Sequence, residues 1–231
     1  QKRISHAENF STDLVHEIRN PLTSLKSASE ILNETEDKDQ RIRLIDILNH
    51  DVQRIERLIT DYSQMLKDEV ALSKEKMKKI NLKLIVKSVV DDFNNIYETK
   101  RGIKIILNDP KSEKEYLIYG IENRIEQIIA NLLDNSISFS EDNKNISVEI
   151  YKNENGKIVL KVIDEGKGFK ETNTKKIFDR FYSNRPDTFG EHSGLGLNIV
   201  KNLVDLHGAS IYASNNIAQK GANVEIVFPK S

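Results

Sequence analysis

Two long stripes of apolar residues occupy the first third of this chain and constrain its fold more than any other feature. Within each stripe, apolar side chains recur every three or four residues, which is the period of one face of an α-helix. The stripes consist of Leu14, Ile18, Leu22, Leu25, Ala28 and Leu32, and then of Ile42, Ile45, Leu48, Val52, Ile55, Ile59, Tyr62 and Leu66. The pattern predicts an all-α hairpin of two antiparallel helices, joined by polar residues 33–39.

Two helices alone cover each other's apolar stripes poorly. Two copies of the hairpin could bury these stripes together as a four-helix bundle, so we expect a homodimer. The alternative is a monomeric hairpin whose apolar faces are covered by the rest of the chain.

The composition excludes several classes of protein. With 38% hydrophobic and 31% charged residues, the 231-residue chain resembles an ordinary globular protein of one large or two small domains. A formal net charge of −1 gives no general attraction to nucleic acid or acidic lipid, so we expect neither as a partner. Cysteine is absent, which excludes disulfides and thiolate metal sites. No apolar run is long enough to span a membrane. Because the chain begins inside a helical pattern, we expect it to be a fragment of a longer protein.

The pattern changes at residues 71–79, a lysine-rich stretch that we interpret as a linker. It would separate a first domain, residues 1–73, from a second, residues 74–231. In the second domain, the pattern predicts three helices: one from a cap at Asn81 to about Tyr97, one over 123–139 and one over 195–206. It predicts strands at 103–107, 116–119, 146–151, 158–163, 210–213 and 224–228. This mixture predicts an α+β sandwich with a sheet against helices.

His16 is the first candidate for chemistry. It lies two residues from Leu14 and from Ile18, so at about 100° per residue its side chain points away from the apolar stripe. An exposed imidazole is largely neutral at pH 7 and can act as a nucleophile. The neighbouring Glu17 could accept a proton during the attack. Taken alone, however, a His-Glu pair on a helix is more often an ordinary solvated face.

The second domain contains no P-loop, so phosphates would be held in another way. Asn131 and Asn135 lie four residues apart on one helix face, and their amide oxygens suit Mg²⁺ that shares triphosphate oxygens. Asp164 follows a predicted strand and could accept a hydrogen bond from an exocyclic amine. Gly166 and Gly168, just after it, would allow a flat base to approach the backbone.

A third cluster, residues 193–197, opens a predicted helix with the sequence Ser-Gly-Leu-Gly-Leu. The unpaired N–H groups and the dipole of a helix start favour an anion there. Each of the three clusters also has an ordinary interpretation: incidental asparagines, a turn, and a serine-capped helix.

Residues 16–23, His-Glu-Ile-Arg-Asn-Pro-Leu-Thr, resemble the phosphoacceptor box of the histidine kinases. In that family the histidine accepts the γ-phosphate of ATP, and the acidic residue after it acts as a base. The residue four positions after the histidine orients the water that dephosphorylates the response regulator. The resemblance therefore implies catalytic roles for His16, Glu17 and Asn20.

The three clusters of the second domain, in this order, resemble the N box and the two glycine boxes of the Bergerat ATP-binding fold of histidine kinases, type II topoisomerases and MutL. Residues 177–182 resemble the phenylalanine box of the kinases, and the polar stretch after them corresponds to a mobile ATP lid. The resemblance implies ATP contacts by Asn131, Asn135, Asp164, Gly166, Gly168, Arg180, Arg185, Ser193, Gly194, Leu195, Gly196 and Leu197. It also implies that Asn131 and Asn135 hold Mg²⁺.

The chain departs from the family pattern at two positions. Many relatives have a phosphate-binding lysine where this chain has Ser138, so the cationic role is expected to pass to Arg180, Arg185 or His192. Ser136 replaces the usual alanine, a change that we expect to be neutral. The residues after the N box and before Gly194 resemble those of envelope-stress sensor kinases of the alphaproteobacterial ChvG/ExoS type.

The resemblance implies a homodimeric protein-histidine kinase that uses ATP and Mg²⁺. It would phosphorylate His16, transfer the phosphoryl group to the receiver domain of a cognate response regulator, and also act as a regulator phosphatase. We expect this portion to be cytoplasmic, without membrane contact of its own, in a parent protein anchored in a bacterial inner membrane. Two alternatives remain open: a Bergerat-fold ATPase that transfers the γ-phosphate to water, and a dimeric scaffold that binds nucleotide poorly.

Overall fold

A computed structural model of the chain describes residues 2–72, 75–110, 115–170, 174–179, 182, 194–216 and 220–230. For residues 2–13 and 64–72 it describes the backbone alone. The described residues form two compact units, the first ending at Leu72 and the second comprising those from Glu75 onward.

The first unit is the predicted helical hairpin, made of α1 (Lys2–Glu34) and α2 (Lys38–Leu72). Hydrogen bonds stabilise the connection between the two helices. Asp37 caps α2, because its Oδ1 accepts from the N–H groups of Asp39 at 2.9 Å and Gln40 at 3.1 Å. In the part of the chain that the structure describes, no helix combines the length and apolar character needed to cross a membrane.

The interior of the hairpin is narrower than the two predicted stripes. Leu44, Asp51 and Leu58 of α2 are buried at a spacing of seven residues, opposite Ala28 and Pro21 of α1. Large apolar side chains from both stripes remain exposed, namely Leu22, Ile42, Ile45, Val52 and Ile59. Each predicted stripe therefore combines two lines of residues. One line faces the other helix of the same hairpin, and the other line faces outward.

The described residues of the second unit form three α-helices and a mixed sheet, which agrees with the predicted α+β architecture. Its elements are β1 (Lys78–Asn81), α3 (Leu82–Arg101), β2 (Lys104–Asn108), β3 (Leu117–Gly120), α4 (Glu122–Phe139), β4 (Asn145–Lys152), β5 (Ile158–Asp164), a short 3₁₀ helix (Thr174–Phe178), α5 (Gly196–Leu206), β6 (Ser210–Asn215) and β7 (Ala222–Val227). Five strands form one sheet in the order β2-β4-β5-β7-β6, in which only the β2–β4 pair is parallel.

Alternate residues of the central strands build the core. In β4, Ile146, Val148 and Ile150 are fully buried, whereas the residues between them are half-buried. The helices pack on this sheet, and α4 contributes Ile125, Ile128 and Leu132 to the same core. The predicted arrangement of a sheet against helices is thus confirmed. The end of β5 and the start of α5 belong to the site described below.

The start of α3 confirms one local prediction. The Asn81 side chain accepts a hydrogen bond from the N–H of Lys83 at 3.2 Å, so it caps the helix as expected. The helix extends four residues beyond the predicted end, to Arg101, where Gly102 adopts a left-handed conformation with φ of 64°.

The lysine-rich stretch at residues 71–79 is not wholly a linker, which corrects the sequence interpretation. Helix α2 continues to Leu72, and β1 pairs in an antiparallel manner with β3 in a separate two-stranded sheet. Glu75 forms an ion pair with Arg124 of α4, with a nitrogen–oxygen distance of 3.5 Å. The strand was missed because exposed lysines dominate it and Ile80 is its one buried residue.

His207 joins the end of α5 to the start of α4. Its Nε2 accepts a hydrogen bond from the N–H of Ile121 at 3.1 Å. The proton must therefore be on Nδ1, which lies 2.7 Å from the carbonyl oxygen of Leu203 and donates to it. Burial lowers the pKa of His207, against a smaller opposing effect of the bond to Leu203, so the ring stays neutral.

This arrangement predicts a pH-dependent stability of the second unit. Because the folded pKa of His207 is depressed, its contribution is complete above the unfolded pKa of about 6.5 and falls as the pH drops below that value. His207→Leu should lower the free energy of unfolding at pH 7.5 by about 1–3 kcal/mol, because the N–H of Ile121 loses its acceptor. It should also remove part of the pH dependence. Urea unfolding between pH 7.5 and 5.5 measures both effects, with His50→Ala in the hairpin as the control. An unchanged pH dependence in His207→Leu would contradict the assignment.

Candidate functional site

The candidate phosphoacceptor lies on an exposed face of α1. His16 and Asn20, four residues apart, are both exposed, whereas Leu14 and Ile18 are half-buried, as the helical pattern predicted. Glu17 is half-buried and forms an ion pair with Arg54 of α2, with a nitrogen–oxygen distance of 3.2 Å. The ion pair with Arg54 therefore restricts the movement of the Glu17 carboxylate.

The asparagine face of α4 meets the start of α5. Asn131 and Asn135 are half-buried, while Leu132 and Leu133 between them are buried in the core. The Oδ1 atom of Asn131 lies 3.7 Å from the point where a Cβ atom on Gly196 would stand. The structure thus brings the first and third sequence clusters into contact.

The start of α5 presents backbone rather than side chains. Gly194 has a φ of 74°, which is the left-handed conformation that favours glycine. Leu195 is fully buried, so any contact of this residue with a ligand would come from its backbone. The first N–H groups of the helix, beginning at Gly196, have no acceptor within the helix. In the described part of the chain no side chain caps them, which leaves this end suited to an anion.

Asp164, the last residue of β5, is buried with an exposed fraction of 3%. Its Oδ1 accepts hydrogen bonds from the N–H groups of Gly166 at 2.9 Å and Ala222 at 3.0 Å. Burial raises the pKa of Asp164, and the bonds from Ala222 and Gly166 oppose that effect by stabilising the anion.

One of these partners, Ala222, escaped the sequence analysis. Gly221 allows β7 to approach Asp164, because a Cβ atom at this position would lie 1.8 Å from the Asp164 carbonyl oxygen. The approach places the N–H of Ala222 on the carboxylate. The signal was a glycine just before the last predicted strand.

The turn after Gly168 is held by an asparagine that also escaped prediction. The side chain of Asn215 in β6 accepts from the N–H of Phe169 at 2.6 Å and donates to its carbonyl at 2.9 Å. Ser138, in contrast, donates to the carbonyl of Asn135 at 2.7 Å and so is bonded to the helix itself.

A cavity of about 570 Å³ adjoins this turn. It is lined by Phe139, Glu141, Lys144, Glu165, Gly166, Lys167 and Lys220. The cavity reaches the glycine turn that follows Asp164, and its lining residues do not include Asn131, Asn135 or Asp164 itself.

Several predicted site residues lie outside the described residues. These are Arg180, Arg185 and Ser193, together with His192 and the stretch predicted as the ATP lid. Of the phenylalanine box, the described part is bonded to α5, because the side-chain amide of Asn198 donates to the carbonyl of Phe178 at 2.8 Å.

Comparison with known families matches both units. The model for the "His Kinase A (phospho-acceptor) domain" matches residues 7–69. The model for the "Histidine kinase-, DNA gyrase B-, and HSP90-like ATPase" matches residues 120–231. The chain belongs to the sensor histidine kinases, and its second unit is their ATP-binding domain.

Among individual proteins, the chain is similar to the sensor protein ChvG of Agrobacterium fabrum, with 35% identity over 225 residues that cover 95% of this chain and 38% of the relative. The sensor histidine kinase WalK of Bacillus subtilis is 28% identical over 235 residues, which cover 99% of this chain and 38% of WalK. The chain therefore spans less than half the length of these curated relatives.

Solved structures show the same fold. The histidine kinase ThkA, in a complex with the response regulator protein TrrA, has a TM-score of 0.68 at 22% identity, covering 100% of this chain and 64% of that one. Full-length ShkA in complex with AMPPNP has a TM-score of 0.60 at 19% identity, covering 96% of this chain and 45% of that one.

The close approach at Gly221 can be tested by substitution. Gly221→Ala should destabilise the second unit by more than about 2 kcal/mol, because it combines backbone strain with a collision against Asp164. Gly208→Ala is the matched control: its φ is +63°, but nothing lies within 4 Å of the added Cβ, so only strain of about 1–2 kcal/mol is expected. Thermal unfolding compares the two variants. Equal stability would show that the approach to Asp164 is not required.

Proposed function

We propose that this chain is the catalytic portion of a sensor histidine kinase that phosphorylates itself on His16 and passes the phosphoryl group to an aspartate of a response regulator. The observation that carries the proposal is the presence, in one chain, of an exposed histidine in a phosphoacceptor box and an ATP-binding unit in which Asn131 contacts the start of α5. A nucleotide site of this class needs an acceptor, and His16 is a solvent-facing one.

The phosphoryl step uses groups on α1. A ring nitrogen of neutral His16 attacks the γ-phosphorus of ATP, an N–P bond forms, and the P–O bond to ADP breaks. Glu17 takes the proton that the imidazole releases from its other nitrogen. The ion pair with Arg54 of α2 restricts the Glu17 carboxylate, which follows His16 directly in the chain. In the second step the phosphoryl group moves from nitrogen to the carboxylate of the regulator, which leaves His16 free again.

ATP binding is divided among three places in the second unit. Asp164 accepts the exocyclic amine of adenine, beside the Gly166–Gly168 turn. The start of α5, from Gly194 to Leu197, receives the phosphates through backbone N–H groups. Asn131 and Asn135 would hold Mg²⁺ through their side-chain oxygens, and the ion would supply positive charge to the triphosphate. Ser193, Arg180 and Arg185 add donors and positive charge for the phosphates.

We propose that the division between the two domains lies at residues 73–74. Helix α2 ends at Leu72, and the ion pair of Glu75 with Arg124 fastens the segment from Glu75 within the second unit.

The exposed apolar face of the hairpin supports a homodimer. Residues such as Leu22, Ile42 and Val52, each about half exposed in a single chain, would be buried by a second hairpin in a four-helix bundle. The bundle next to His16 would also receive the receiver domain of the regulator. We also propose that the parent protein is anchored in a bacterial inner membrane, with this portion in the cytoplasm.

The phosphoacceptor is tested by His16→Ala. This variant should lose all acid-labile label from ATP labelled in its γ-phosphate, because the attacking nitrogen is gone, while ATP binding survives. His50→Ala, which removes another histidine from the same hairpin, should keep the label. Acid-labile label in His16→Ala would refute the site. Release of free phosphate by the unaltered chain, without any phosphohistidine, would favour an ATPase that transfers phosphate to water.

Asn20 tests the proposed phosphatase activity. Asn20→Ala should slow dephosphorylation of a phosphorylated receiver domain by about ten- to hundredfold, because the attacking water is no longer oriented. Autophosphorylation of His16 should continue. Ser27→Ala, at an exposed position two turns further along α1, is the control and should retain both activities. An equal loss of both activities in Asn20→Ala would contradict the separate roles.

A further inference from the structure

The side chain of Arg101, the last residue of α3, is bonded to the last turn of α4 and to the residues just after it. Its Nη1 donates to the carbonyl oxygen of Ile137 at 2.8 Å, and its Nη2 donates to that of Ser140, also at 2.8 Å. Its Nε donates to the carboxylate of Asp142 at 2.7 Å. One guanidinium therefore makes three charge-assisted hydrogen bonds to one short segment, and its side chain is 24% exposed.

The bonds of Arg101 stabilise the end of a helix. The last carbonyl groups of an α-helix lack donors within the helix, and a positive charge beside them is favourable. Helix α4 ends at Phe139, and Ser140 is its C-cap. Because a guanidinium is planar and its N–H groups point in fixed directions, two simultaneous bonds hold the two carbonyls in a defined relation. Arg101 thus restricts the last turn of α4 more than a lysine would.

The last turn of α4 lies against the glycine turn of the proposed adenine site. Phe139 stands between the two bonded carbonyls in the chain, and a Cβ atom on Gly166 would lie 2.6 Å from the Phe139 carbonyl oxygen. The two backbones are therefore in direct contact. The N–H of Gly166 in turn donates to Oδ1 of the buried Asp164 at 2.9 Å. The position of this helix end thus determines where a donor to the carboxylate stands.

We propose that Arg101 is a positioning residue for adenine recognition: its bonds to α4 hold the Gly166 turn where Asp164 presents an acceptor to the amino group at C6. The inference rests on the proposed binding of ATP and deepens it. Arg101 acts through Phe139 and Gly166 rather than by contact with the nucleotide. Without the guanidinium, the last turn of α4 loosens and Gly166 follows it. The carboxylate then loses its direction, because the terminal torsion of aspartate is broad.

The test uses one central variant and two controls in the 231-residue chain. Arg101→Met keeps the apolar stem of the side chain but removes all three hydrogen bonds. Asp142→Asn neutralises the partner of the ion pair, whose side chain is 62% exposed, and leaves the bonds to the two carbonyls in place. Lys83→Met removes another partly buried cation of α3, which forms an ion pair with Asp109 at 2.7 Å.

Each form is titrated with ATP and with purine riboside triphosphate, which has hydrogen in place of the C6 amino group. Contacts to the ring, ribose and phosphates are common to both nucleotides, so the ratio of the two affinities reports on the amine. Isothermal titration gives each affinity, and circular dichroism shows that the form is folded at the temperature used.

Arg101→Met should weaken ATP binding about three- to tenfold, the loss expected for one misplaced hydrogen bond, and lower the preference for ATP about threefold or more. Both controls should leave that preference as in the unaltered chain. The ratio is decisive even if Arg101→Met lowers the unfolding temperature, because a general loss of folded protein affects both nucleotides alike.

Two results would overturn the proposal. One is an unchanged ratio in Arg101→Met, which would mean that the arginine supports the fold alone. The other is an equal fall of the ratio in either control, since the bonds to the helix carbonyls would then not be the cause. If Arg101→Met does not fold, Arg101→Lys replaces it. This variant keeps the charge but lacks the planar fork, so the same fall of the ratio is expected and an unchanged ratio again contradicts the proposal.

Failure of the proposed function would look different. In that case the unaltered chain itself would not bind ATP, or would bind it no better than purine riboside triphosphate. An unaltered chain that prefers ATP, together with an unchanged ratio in Arg101→Met, would refute the role of the arginine and leave the proposed ATP site intact.

Discussion

The buried carboxylate of Asp164 is the interaction on which the nucleotide-binding end of the second unit depends. Removing a carboxylate from water is costly unless hydrogen bonds replace its hydration. Here the donors come from two places: the turn after β5 and the first residue of β7. Satisfying one buried carboxylate therefore joins the end of β5 to the start of β7. Gly221 belongs to the same interaction, because its lack of a side chain lets β7 reach Asp164.

Helices α4 and α5 are joined at two separate places, and both matter for the site. Near the glycine box, Asn131 lies against Gly196 at the start of α5. At the other end of α5, neutral His207 links its last turn to Ile121 at the start of α4. The two helices that are proposed to hold metal and phosphates thus have a fixed relation to each other. This fixed relation would keep the proposed phosphate site in place when ADP leaves after each transfer.

Sequence patterns predicted the fold to the extent that each element is built from local periodicity. The hairpin, the strands β4 and β5 and the cap at Asn81 were predictable because period, turn and cap lie within a few residues of one another. The strand β1 was not, because its lysines resemble a linker and its pairing with β3 joins residues about forty positions apart. For the same reason the bond of Ala222 to Asp164 was not predictable, because it depends on a contact between distant segments. The sequence also could not distinguish the inward line of α2 from its outward one, since both are apolar.

Asp51 is a buried carboxylate inside the hairpin. It lies between Leu44 and Leu58 on the same line of α2, and within the described residues one of its carboxylate oxygens has no hydrogen-bond partner. A buried carboxylate oxygen without a partner costs free energy, so the hairpin is less stable here than an apolar side chain would make it. Three residues further along α2, Arg54 forms its ion pair with Glu17, so this costly position lies close to the contact that holds the residue after His16.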